Sequence, residues 1–136
     1  MKATATYSVM KWEEASYRDL PPKKKMTKAT VEFKLTGEIE GSANVEYLMF
    51  YSYSDPADQH KSEAAYVGLI IFEGTVKGKS GTFVIEDHGT FSAGAAKSVL
   101  RIADGSGTGA LEGIQGTGTY IADANGCSFE LDYELS

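Results

Sequence analysis

The side chains of this 136-residue chain best suited to proton transfer or nucleophilic attack are few: two histidines, one cysteine and a scatter of carboxylates and serines. His88 is the most informative of them. It follows Glu86 by two residues in an alternating stretch, so the two side chains share one face of a strand. A carboxylate beside an imidazole raises the imidazole pKa and orients the ring for proton transfer. Glu46, on a neighbouring strand, could join them. Glu46, Glu86 and His88 are therefore the acid–base candidates, set against the plainer reading of a surface His–Glu pair at a strand end. His60 falls in the polar stretch Asp55 to Glu63 and reads as solvated. Cys127 stands between Gly126 and Ser128 with no activating base, which makes it an inert thiol. One cysteine forms no intrachain disulfide and no cysteine zinc site, and two histidines make a poor metal cage, so neither metal nor cofactor is expected. Ser80, Ser92 and Ser98 are available to His88, but none sits on a nucleophile elbow.

The run Gly105-Ser106-Gly107-Thr108-Gly109-Ala110-Leu111-Glu112-Gly113 invites a nucleotide-binding reading and fails it. Its spacing is not G-x-G-x-x-G, it lacks the lysine of a phosphate loop, and no βαβ context surrounds it. It reads as a structural turn.

The elements that must position these residues have a period of two. Thr27, Ala29, Val31, Phe33 and Leu35 alternate with Lys28, Thr30, Glu32 and Lys34, the pattern of a strand with one buried and one wet face. Phe129, Leu131, Tyr133 and Leu135 alternate in the same way, and Ala3 to Trp12 does so more weakly. The middle strands are apolar on both faces: Val45 to Tyr53 and Tyr66 to Phe72. Gly81 to His88 puts Phe83 and Ile85 on one face and Thr82, Val84, Glu86 and His88 on the other. Further strands are expected at Lys97–Ala103 and Gly116–Asp123. Turn signals separate these runs, Asp55 to Glu63 reads as one long mobile connection, and no helical period exceeds about two turns. About eight strands without helices leave a sandwich or a barrel. Consecutive hairpins with aromatic inward faces favour an all-β, closed antiparallel β-barrel in a single domain over 1–136. Val31, Phe33, Tyr47, Met49, Phe83, Phe129 and Leu131 are expected inside.

Charge narrows the partners. The net charge of −6 argues against nucleic acid, although residues 1–36 carry eight Lys/Arg against four Asp/Glu, centred on Lys23-Lys24-Lys25 and Lys28. That run reads as a solvated loop beside Pro21-Pro22. The longest apolar run, Val67 to Phe72, is far too short to span a membrane, no signal peptide opens the chain, and a cytoplasmic protein is expected.

Several segments together resemble a known family: Val45-Glu46-Tyr47-Leu48-Met49, Gly81-Thr82-Phe83-Val84, His88-Gly89-Thr90-Phe91, Gly105 to Gly109 with Leu111 and Gly113, and Leu131-Asp132-Tyr133-Glu134-Leu135. They resemble a bacterial family of uncharacterised small proteins, a domain of unknown function similar in fold to the allene oxide cyclase barrel. The resemblance runs nearly the whole chain and implies the barrel. It implies no activity, and no catalytic residue of the cyclases maps onto a position here.

The functional expectation is a barrel that binds an apolar or amphipathic small molecule, with Phe33, Tyr47, Tyr51, Phe83, Phe129 and Tyr133 as interior candidates. The alternatives are an isomerase- or cyclase-type enzyme using Glu46, Glu86 or His88, and a structural or interaction protein with a solid core. Outward Leu48, Phe50, Val67, Leu69, Ile71 and Val84 lie on consecutive strands and would form one apolar patch, so a homo-oligomer, by preference a dimer, is expected through that face.

Overall fold

Alternating residues become eight consecutive strands in the computed structural model, which describes residues 1–20, 22, 24–54, 57, 61–124 and 126–135. They are β1 (Lys2–Leu20), β2 (Lys24–Gly37), β3 (Ile39–Tyr53), β4 (Glu63–Val76), β5 (Lys79–Ser92), β6 (Ala95–Ile102), β7 (Gln115–Asp123) and β8 (Gly126–Glu134). Each pairs antiparallel with its neighbour in sequence, and β1 pairs with β8, which closes the ring. No α-helix occurs among the described residues, and no helix is long and apolar enough to cross a membrane. The basic run is not wholly a loop: Lys24 and Lys25 already belong to β2. Lys23, His60 and most of the 55–63 connection lie outside the described residues.

The inward face is the one the alternation marks. Val31, Phe33, Tyr47, Met49, Phe83, Phe129 and Leu131 are all buried. Two-residue turns join β4 to β5 and β5 to β6. In both turns the two residues take positive φ, Lys77 with Gly78 and Ala93 with Gly94, the backbone twist that tight hairpins require.

The two ends of the barrel differ. The end holding the N-terminus of β1 and the β6–β7 connection is filled. There Leu35, Ile39, Ile70, Phe72, Phe83, Ile85, Leu100, Ile102 and Leu131 are almost completely buried. The glycine-rich connection is the structural turn expected. It runs beside β5, where the Thr108 amide donates to the Thr82 carbonyl and the Ala103 amide to the Val84 carbonyl. A 3-10 turn at Gly109–Leu111 drops Leu111 into the interior, followed by Ile114. A Cβ on Gly107 would come within 2.1 Å of the Leu111 carbonyl oxygen, and one on Gly81 within 2.0 Å of the Thr108 carbonyl oxygen. Only glycine allows that approach.

The opposite end stays open because the strands are unequal. β1 meets β8 only from Lys2 to Thr6, so beyond that point its backbone pairs with β2 alone. A register shift between Val9 and Lys11 inserts one residue, Met10. A bulge of this kind reverses the side-chain parity that follows it. Trp12, Glu14 and Ser16 therefore lie opposite inward-facing Val31, Ala29 and Thr27.

On the outer wall, Leu48 pairs with Val67, Val67 with His88 and His88 with Val99 across β3 to β6. Leu48, Val67, Leu69, Ile71 and Val99 are each 49–66% exposed, while Phe50 and Val84 are half-buried. The stripe expected from the sequence exists, centred on β4 and extended by Val99.

Candidate functional site

The open end leads into a cavity of about 300 Å³. Its wall is aromatic and aliphatic: Tyr7, Val9, Trp12, Phe33, Met49, Tyr51 and Phe91 among others, with Ala96 and Ala122 leaving the space that larger side chains would fill. β1 supplies Tyr7 and Val9 before its bulge and Trp12 and Glu14 after it. Without the inserted residue, Trp12 and Glu14 would face away.

At the inner end of the cavity three tyrosines converge from three strands: Tyr47 of β3, Tyr66 of β4 and Tyr120 of β7. The Tyr47 hydroxyl donates to Asp87 Oδ2 at 2.7 Å and lies 3.0 Å from the Tyr120 hydroxyl. Tyr120 donates to Tyr66 at 3.1 Å, and Tyr66 shares a hydrogen bond with Ser98 Oγ at 2.7 Å. Asp87 lies behind this floor, 2% exposed, and its Oδ1 has no hydrogen-bond partner. Burial pushes the Asp87 carboxyl up to about 6, against the pull of the Tyr47 and Ser98 hydroxyls and the charge of His88. Burial likewise raises the pKa values of Tyr47, Tyr66 and Tyr120, so all three stay protonated donors.

A second carboxylate sits at the rim. Glu14 Oε2 accepts from the Tyr51 hydroxyl and from Thr27 Oγ1, each at 2.7 Å, and Oε1 accepts from Trp12 Nε1 at 3.0 Å. These neutral donors orient it across the cavity mouth. Lys25 Nζ stands 4.9 Å from the centroid of the Tyr51 ring.

Of the six interior candidates, Phe33, Tyr47 and Tyr51 line the cavity. Phe83, Phe129 and Tyr133 are buried but do not line the cavity. Glu46, Glu86 and His88 project from the outer wall, where all three are exposed. Glu86 accepts from Arg101 Nη1 at 3.3 Å, a surface ion pair across β5 and β6. None of the three reaches the cavity. The residues that sequence reasoning passed over are Asp87, Tyr120 and Glu14, and Ser98, weighed only as a nucleophile for His88, instead bonds Tyr66. Asp87 carried a signal, because it continues the inward parity of Phe83 and Ile85. Glu14 carried none, because the bulge at Met10 is invisible to strict alternation.

Residues 3–134 match the model of a family described as "Protein of unknown function (DUF3224)". Among solved structures the chain is similar to a protein with unknown function of that family from Shewanella oneidensis MR-1. The two share 19% identity and a TM-score of 0.75 over 100% of this chain and 98% of the other. At that identity the likeness is one of fold. No curated protein matches the chain.

Proposed function

The chain belongs to the DUF3224 family of proteins of unknown function, and from that premise we propose that it is a small-molecule-binding barrel that takes an apolar or amphipathic ligand into its open end. The observation that carries this reading is the cavity. A structural protein gains stability by filling its interior, and one half of this barrel is filled with almost completely buried side chains. The other half holds about 300 Å³ of space, room for about ten waters or one small organic molecule. Apolar walls with a few convergent polar groups are the usual composition of a ligand site.

An isomerase-type reaction on the bound molecule is the second reading. It draws support from Asp87, whose carboxyl is pushed up to about 6 by burial and is linked to the cavity through Tyr47. A reducing compartment such as the cytoplasm suits a chain with a single free cysteine.

Trp12 is the only tryptophan and lies on the cavity wall, so its fluorescence reports occupancy directly. A library of apolar compounds that are neutral, cationic or anionic should contain members that quench Trp12 and raise the melting temperature. The variant Ala96→Phe, which fills the cavity, should remain folded and lose both responses. If no compound class shifts the melting temperature of the wild type, or if Ala96→Phe binds as well as the wild type, the reading is wrong.

A further inference from the structure

The cavity has a charge preference that its apolar walls conceal. Among the described residues that line it, the one ionisable group charged at neutral pH is Glu14, and no lysine, arginine or histidine is present. Glu14 forms no ion pair among the described residues; its three hydrogen bonds come from a phenol, a hydroxyl and an indole. Its carboxylate is thus oriented by neutral donors and carries no direct ion pair among the described residues. Behind the tyrosine floor lies a second carboxylate, Asp87, with one oxygen unpartnered. The π faces of Trp12, Tyr51 and Phe91 complete the wall near the mouth. Aromatic faces attract cations through their quadrupole, most strongly when the cation is partly desolvated. Lys25, outside the cavity lining, already takes up that geometry over the Tyr51 ring.

We propose that the site selects organic cations: an aromatic or aliphatic body carrying a protonated amine, with the ammonium held at the rim by the Glu14 carboxylate and the rings of Trp12 and Tyr51. The body extends inward along Phe33, Met49 and Phe91 towards the three tyrosine hydroxyls. An anionic head group entering the same space meets Glu14 first and the field of Asp87 beyond it. The proposal rests on the cavity being a binding site and adds the chemical class of its ligand.

Three probes of nearly equal size and shape separate charge from fit: phenylbutylamine, phenylbutanol and phenylbutyrate, titrated at neutral pH with Trp12 fluorescence as the readout. The amine should bind at least about tenfold more tightly than the butyrate, with the alcohol between them, as expected for one cation–π contact plus one carboxylate. In Glu14→Gln the ratio of amine affinity to alcohol affinity, measured in the same variant, should fall to about one. That pattern is specific to charge, and a general distortion of the mouth would weaken both ligands. If the butyrate binds the wild type as well as or better than the amine, the charge preference is refuted and the cavity reading stands. If the alcohol binds but Glu14→Gln leaves the amine's advantage intact, Glu14 is not the cation's partner and the proposal falls. If none of the three binds, the cavity reading fails and the ligand class with it.

Discussion

Replacing Asp87 with asparagine should change how stability depends on pH, and the size of the change follows from the burial of the carboxyl. Its pKa rises from 3.8 to about 6, chiefly because the ionised form is desolvated. At 1.36 kcal/mol for each tenfold step, that separation corresponds to about 3 kcal/mol. The direction follows from proton binding. In the unfolded chain Asp87 releases its proton near the ordinary carboxylate pKa, whereas the folded barrel holds it until about pH 6. Between those values the folded state binds more protons, so raising the pH favours unfolding. The penalty accumulates from about pH 4 to about pH 6 and is constant above that. An asparagine side chain carries no such proton. The Asp87→Asn variant should therefore gain about 3 kcal/mol relative to the wild type between pH 4 and pH 7.5. Any fixed cost of fitting the amide against Tyr47 adds equally at both ends of that range and cancels. Urea denaturation of both proteins at several pH values, followed by Trp12 fluorescence and far-UV circular dichroism, measures the difference. Parallel pH profiles, or a difference that grows in favour of the wild type, would refute the raised proton affinity of Asp87.

Other consequences are simpler. Gly107→Val drives a side chain into the Leu111 carbonyl and should lower stability by roughly 1–3 kcal/mol in equilibrium unfolding. Phe72→Ala removes a fully buried ring that packs 5.0 Å from Phe83 and should cost about 3–5 kcal/mol, a larger loss than any substitution on the outer wall. Glu86→Gln breaks only the exposed pair with Arg101; unfolding curves should stay within roughly 1 kcal/mol of the wild type. The outer stripe of Leu48, Val67, Leu69, Ile71 and Val99 is proposed to join two copies of the chain. Each such side chain contributes roughly 1.5–3 kcal/mol when fully buried, against an association cost of about 4–15 kcal/mol. Light scattering should find a wild-type dimer and a folded Leu69→Glu monomer, and a wild-type monomer at micromolar concentration ends that proposal.

Local alternation was enough to determine much of this protein. A strand's two faces are set by its own residues, so Val31, Phe33, Tyr47, Met49, Phe83, Phe129 and Leu131 could be assigned to the interior without knowing their partners. The glycine run from Gly105 to Gly113 could be assigned to a turn because a missing Cβ is a local property. The outward apolar stripe was legible for the same reason, since side chains that are apolar on both faces of a strand must leave one set outside. The functional pairing of Glu86 with His88 was legible only as far as their shared face. That Arg101 takes Glu86 depends on β6 lying beside β5. The candidate site was hidden more deeply. Asp87, Tyr47, Tyr66, Tyr120 and Ser98 come from five different strands, and a hydrogen bond such as Tyr47 to Tyr120 joins residues far apart in sequence. Only the register of the closed ring brings them within hydrogen-bonding distance. Glu14 and Trp12 reach the cavity because one inserted residue at Met10 reverses the parity of β1, and alternation read from the sequence carries straight through such a bulge. The hollow end exists because β1 outruns β8 while the 3-10 turn plugs the other end. Burial, proton affinity and empty space are properties of what surrounds a residue, and here those surroundings are assembled by pairings that no local stretch of the chain contains.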